Sequence, residues 1–130
     1  MSVYERILKE IHNGMTLYTP VFRNEFKVKS VDVDKVVFFA GKTNIQVSKR
    51  CWDRIPDFLK KQGGWVKIGA LHEITEKVEI GTLERFLGEC DKRQTSAGCY
   101  VASLLEYLKI VEVDHNRFSK IRLIKTFSQV

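Results

Sequence analysis

The groups in this chain best suited to hold a phosphate cluster around one short turn. Lys92 and Arg93 stand just ahead of Thr95 and Ser96, either of which caps the helical stretch SAGCYVASLLEYLKIV. Amide hydrogens at a helix start are unpaired and carry the positive end of the peptide dipoles, so they attract anions. Ser96, Cys99 and Ser103 fall on one side of this stretch, where small polar groups can approach a phosphate or a base edge. A second basic group lies upstream. Arg50, Arg54 and Lys61 share a helical face with Asp57, opposite Trp52 and Leu59. Residues 42 to 67 hold seven Lys or Arg against two Asp. As a docking face this stripe would contact backbone phosphates. As a solvated face it would carry Arg54–Asp57 and Asp57–Lys61 pairs worth a few tenths of a kcal/mol, about 0.3–0.5 each.

Other chemistry finds little support. There is no glycine-rich phosphate loop, HExxH, GxSxG or dinucleotide fingerprint. His12, His72 and His115 are scattered, without ligand spacing to any cysteine. Glu25-Phe26-Lys27 has the acidic-x-Lys form of a nuclease metal site, but no partner acid at a strand end precedes it. Catalysis, a cofactor and a bound metal are therefore not expected, and a nuclease or nuclease accessory subunit is the third reading only. Cys51, Cys90 and Cys99 make an odd count with no CxxC pair, which predicts reduced thiols in a cytoplasmic protein.

The elements that would position these groups follow from periodicity. Ser2-x-x-Glu5 is a capping box, and Val3, Tyr4, Ile7, Leu8 and Ile11 line one face of a helix over 3–12. From Met15 to Val47 the period changes to two, which predicts three or more short antiparallel strands. Among them, Val36 to Phe39 form an unbroken apolar run expected to be buried on both faces. The stretch SKRCWDRIPDFLKKQ is helical and ends at Gly63-Gly64. Pro56 leaves two options: Asp53 caps the helix, or it starts near Ser48 and kinks at the proline.

After a short strand at WVKIG, Thr82 opens a helix that buries Leu83, Phe86 and Leu87. DKRQ turns the chain into the second helix, whose stripe of Val101, Leu104, Leu105 and Leu108 must face a core. A hairpin follows, with Val111, Val113, Ile121 and Leu123 inward and Glu112, Asp114, Lys120 and Arg122 outward. Arg117 lies at its tip. Residues 65–125 resemble the winged helix-turn-helix superfamily, with Thr82-Leu83 matching the start of helix two and TSAGCYVASLLEYLKIVEV the recognition helix and wing strand. The turn DKRQ lacks the usual glycine, and Lys109 stands where many such domains place one. The resemblance implies groove contact by Lys92, Arg93, Thr95, Ser96, Cys99 and Ser103, with Arg117, Lys120 and Arg122 on the wing.

With 44% hydrophobic and 29% charged residues, 130 residues suffice for a globular α+β chain. The reading divides it into 1–64, a small α+β part with the basic helix, and 65–130, the winged-helix-like part, which together form one compact domain or two subregions. The net charge of +6 lies wholly in residues 1–70, with 13 basic against 7 acidic side chains; residues 71–130 balance at 9 each. A polyanion-binding surface must therefore come mainly from the first half. The expected function is non-catalytic binding of nucleic acid, double-stranded DNA, as in a transcriptional regulator. The rival is a protein-interaction or homodimerisation module. Neither a membrane nor a small-molecule substrate is expected as a partner.

Overall fold

A computed structural model describes residues 2–20, 22–69, 81–92, 96–115 and 120–124. The fold is α+β, with four helices and two antiparallel sheets among the described residues. Helix α1 (Val3–Glu10) starts where the capping box predicts, with the Ser2 hydroxyl accepting from the Glu5 amide. Val3, Tyr4 and Ile7 are buried, whereas Leu8, expected on the same face, is exposed. Strands β1 (Thr16–Tyr18), β2 (Glu25–Val31), β3 (Lys35–Ala40) and β4 (Thr43–Ser48) follow as a meander in the order β1-β2-β3-β4.

Helix α2 (Lys49–Gln62) begins at Ser48 and runs through Pro56, which settles the choice left by the sequence. Asp53 instead accepts from the Tyr4 amide, tying α2 to α1. Strand β5 (Val66–Lys67), helices α3 (Leu83–Asp91) and α4 (Gly98–Tyr107), and strands β6 (Val111–Asp114) and β7 (Lys120–Leu123) complete the chain. The second sheet has the order β5-β7-β6.

Core residues run from Val3 to Ile121 and come from both sides of Gly63-Gly64, so the two parts share one interior. Phe38 is its aromatic centre, edge-on to Phe26 at 5.5 Å and to Trp52 at 6.2 Å, with Tyr100 of α4 at 6.1 Å. The expectation that the Val36–Phe39 run is buried on both faces holds for Val36, Val37 and Phe38 but not for Phe39, which is 40% exposed. The first sheet is covered by helices on one face, and Phe39 points to the other.

Two ends of α4 are closed by side chains from elsewhere in the chain. Thr95 lies outside the described residues, and Ser96 is not the cap; Ala97 holds that position without a side-chain bond. The fully buried Glu84 carboxylate does the work instead, accepting from the Ala97 amide at 2.8 Å, the Gly98 amide at 3.0 Å and the Ser96 hydroxyl at 2.6 Å. A buried carboxylate is tolerable only with such donors, and here the helix dipole adds to them. The approach is close enough to require glycine: a Cβ on Gly98 would lie 2.8 Å from the Glu84 carboxylate and 2.9 Å from Ile68. At the other end, the Arg6 guanidinium donates to the Leu108 carbonyl at 2.6 Å. Lys109 adopts φ 60°, and the Lys109 and Ile110 amides donate back to Glu106 and Leu105, a Schellman stop in which lysine fills the glycine position.

The prediction of reduced thiols is corrected for two of the three cysteines. Cys51 in the first turn of α2 and Cys90 in the last of α3 form a disulfide, with Cα atoms 5.9 Å apart. Thirty-nine residues separate them, so only the packing of α2 on α3 reveals the pair. Among the described residues no helix is long and apolar enough to cross a membrane.

Two stability outcomes follow. Glu84→Gln turns an amide toward hydrogen-bond donors and leaves buried groups unpaired, so urea denaturation should show a loss of about 2–3 kcal/mol; an unchanged midpoint would contradict the capping role. Lys109→Gly removes the left-handed strain and should raise stability by about 0.5–1 kcal/mol.

Candidate nucleic-acid interface

The described residues among those expected at a DNA groove do not form one surface. Ser103 is buried, and its hydroxyl donates to the Tyr18 carbonyl of β1 at 2.7 Å. Tyr100 packs on Phe26 of β2 at 4.9 Å. Cys99 is half-buried, and burial, with the nearby Glu84 charge, pushes its thiol up to about 11. Ser96 spends its hydroxyl on Glu84. Hence the side of α4 expected to meet a groove is covered by the chain's own first sheet, and the amides expected to meet phosphate are occupied by Glu84. Ser103 is thus buried away from any groove, while Ser96 and Cys99 are partly exposed. The physical reason is that α4 is apolar on nearly all sides, and a helix of that kind belongs inside.

Lys92 ends α3 in the left-handed conformation and is exposed. Arg93, Thr95 and Arg117 lie outside the described residues. In the second sheet, Arg122 is paired with Glu112 at 2.8 Å and lies over the Trp65 ring at 4.3 Å, while Lys120 stands between Lys67 and Asp114 in the register. The outward charges of this sheet are therefore largely matched by carboxylates. Arg50 donates to the Cys90 carbonyl at 2.6 Å, a helix-to-helix contact. Arg54 and Lys61 do come together, lining a groove of about 420 Å³ between α2 and α3 with Arg85, Glu89 and the stacked rings of Phe58 and Phe86.

A different surface gathers groups that the sequence reading passed over. Directly paired residues in an antiparallel sheet share a face, so the row Thr16–Lys27–Phe39–Asn44 crosses the outer face of the first sheet. Lys29 reaches the Asn44 amide oxygen at 3.3 Å. Tyr18, 46% exposed, lies on the same side opposite Glu25, with Arg23 over its ring at 5.6 Å. Aromatic faces are thus interleaved with lysines on one open sheet. Period-two alternation could have located this face, had Phe39 been assigned to the side of Lys27 rather than to a doubly buried strand. Among the described residues, Glu25 belongs to no set of His, Cys, Asp or Glu able to hold a metal; the one such set is Cys51, Cys90 and Asp91.

At the edge of this surface His115 spans two elements. Its Nδ1 lies 2.8 Å from the Pro20 carbonyl, and its Nε2 lies 2.6 Å from the Glu106 carboxylate. Both contacts need a proton, so the imidazolium satisfies both and the neutral ring only one. The Pro20 carbonyl, and then Glu106, raise the affinity of His115 for its proton above the ordinary histidine value, against the effect of burial. A raised value means stability that is whole below the unfolded value of about 6.5 and is lost as pH climbs through the folded one. The melting temperature should therefore fall as pH rises above about 6.5, and His115→Ala should flatten that slope. Equal slopes for the two proteins would remove His115 as the cause.

Neither a curated protein nor a solved structure matches the chain. Residues 9–124, from the end of α1 to just beyond β7, match DUF6855, a family of unknown function, and the chain belongs to that family.

Proposed function

We propose that this protein is a non-catalytic nucleic-acid-binding protein that holds single strands on the outer face of its first sheet. The observation that carries the reading is the exposed ring of Phe39 set between Lys27 and Asn44 in one cross-strand row, with Lys29 alongside. Single strands bind to proteins through bases stacked on aromatic rings and phosphates tracked by cations, and this face offers both. The charge distribution agrees, since the excess of positive charge belongs to residues 1–70. Duplex recognition through α4 loses its support because that helix is enclosed. In this reading the helix–strand–helix–helix–hairpin order of α2 to β7, which is that of a winged-helix-like unit, serves as a scaffold.

A second reading, a protein-docking or dimerisation surface on the second sheet, is favoured by Trp65, which is 42% exposed beside the matched Arg122–Glu112 pair. Salt separates the two. Fluorescence anisotropy with single-stranded DNA, RNA and duplex should show tightest binding to single strands, with a log–log salt slope of about −0.7 per phosphate neutralised. Phe39→Ala should cost about 1–3 kcal/mol, or roughly 5- to 150-fold in affinity. Lys27→Glu with Lys29→Glu should weaken binding and flatten the slope. Affinity indifferent to all three substitutions would overturn the proposal.

A further inference from the structure

We propose that Cys51, Cys90 and Asp91 form a redox-gated zinc site, closed as a disulfide in the oxidised protein and able to take one zinc ion once reduced. The inference is independent of nucleic-acid binding. The two sulfurs and a carboxylate oxygen of Asp91 all lie within 4.8 Å of one another, at the junction of α2 and α3. Two thiolates and a carboxylate on adjacent corners suit a tetrahedral zinc ion, and thiolates select it over magnesium or calcium. Both cysteines are buried and Asp91 is half-buried, so a fourth position facing the Asp91 side falls to water.

The surroundings already orient the third ligand. The Ser48 amide donates to one Asp91 oxygen at 3.1 Å and the Ser48 hydroxyl to the other at 2.7 Å, the kind of outer contact that fixes a metal-binding carboxylate. Charge also balances. Two thiolates and one carboxylate around Zn²⁺ leave one negative charge, and the Arg50 guanidinium on the Cys90 carbonyl supplies one positive charge beside it.

The two states exclude each other, because sulfurs bonded to one another offer no thiolate. A dithiol reductant opens the site: its two sulfurs join in a disulfide, the Cys51–Cys90 bond breaks, and each cysteine leaves as a thiol carrying one of the two protons the reductant gives up. Zinc then displaces those two protons as it binds.

The test uses the full chain, reduced by a thiol-free phosphine, freed of reductant without air, and titrated with Zn²⁺ and separately with Co²⁺. The reduced protein should take up one zinc per chain and melt at a higher temperature with it, while the oxidised protein takes up none. Cobalt should give intense thiolate-to-metal absorption in the reduced protein only. Asp91→Asn keeps a hydrogen-bonding side chain but should weaken zinc binding by about tenfold or more, and Cys90→Ser should abolish the thiolate absorption. No metal uptake by the reduced protein, or uptake without that absorption, overturns the proposal. So does a Cys90→Ser protein that binds as well as the original; if that variant does not fold, the Asp91→Asn affinity and the cobalt spectrum decide.

Discussion

The Glu84 carboxylate sits where a bound phosphate would want to be. It meets the first amides of α4, supplies the negative charge they favour and is itself satisfied by three donors. Around that contact the rest of the chain is arranged. Helix α3 must present Glu84 to α4, the Glu84 amide in turn donates to the Ile68 carbonyl at 2.8 Å, and Gly98 must lack a side chain for the carboxylate to fit. With Arg6 closing the far end, α4 becomes an interior strut whose unpaired backbone groups are answered by α1 and α3. A helix so enclosed serves first to position other elements.

Periodicity made much of this legible. The capping box at Ser2 and Glu5, the inward stripe of Val101, Leu104, Leu105 and Leu108, and the alternating hairpin of Val111 to Leu123 are all local patterns, readable because burial repeats with the element. What escaped depends on contacts between distant residues. The cover over Ser103 comes from Tyr18, 85 residues earlier; the partner of Cys51 is 39 residues away; and Glu84 reads in sequence as one more acid in a helix's first turn. The opposite side of α4 looked free because serine, cysteine and alanine are small enough to be either exposed or tightly packed. Nothing local distinguishes the two.

The charge imbalance between the halves acquires a structural meaning. Among the described residues of the second half, Arg85 pairs with Glu89, His115 with Glu106 and Arg122 with Glu112, in keeping with a balance of nine against nine. The first half instead spreads lysines over an open sheet whose inner face is filled by Phe26, Val28, Phe38, Ile45 and Val47. The inner face is committed to the interior, whereas on the outer face of β3 Val37 is buried and Phe39 is not. Phe39 on that face lies outside the core formed by its neighbours on β3, and core packing does not require it there.

The bond between residues 51 and 90 also makes the middle of the chain a covalent ring. It encloses most of α2, all of β5 and nearly all of α3, so a single proteolytic cut anywhere from residue 52 to residue 89 leaves both fragments tethered. Such a nicked molecule would keep its mass until a reductant released the pieces, and the same cut outside the ring would shed a fragment at once wherever packing did not hold it.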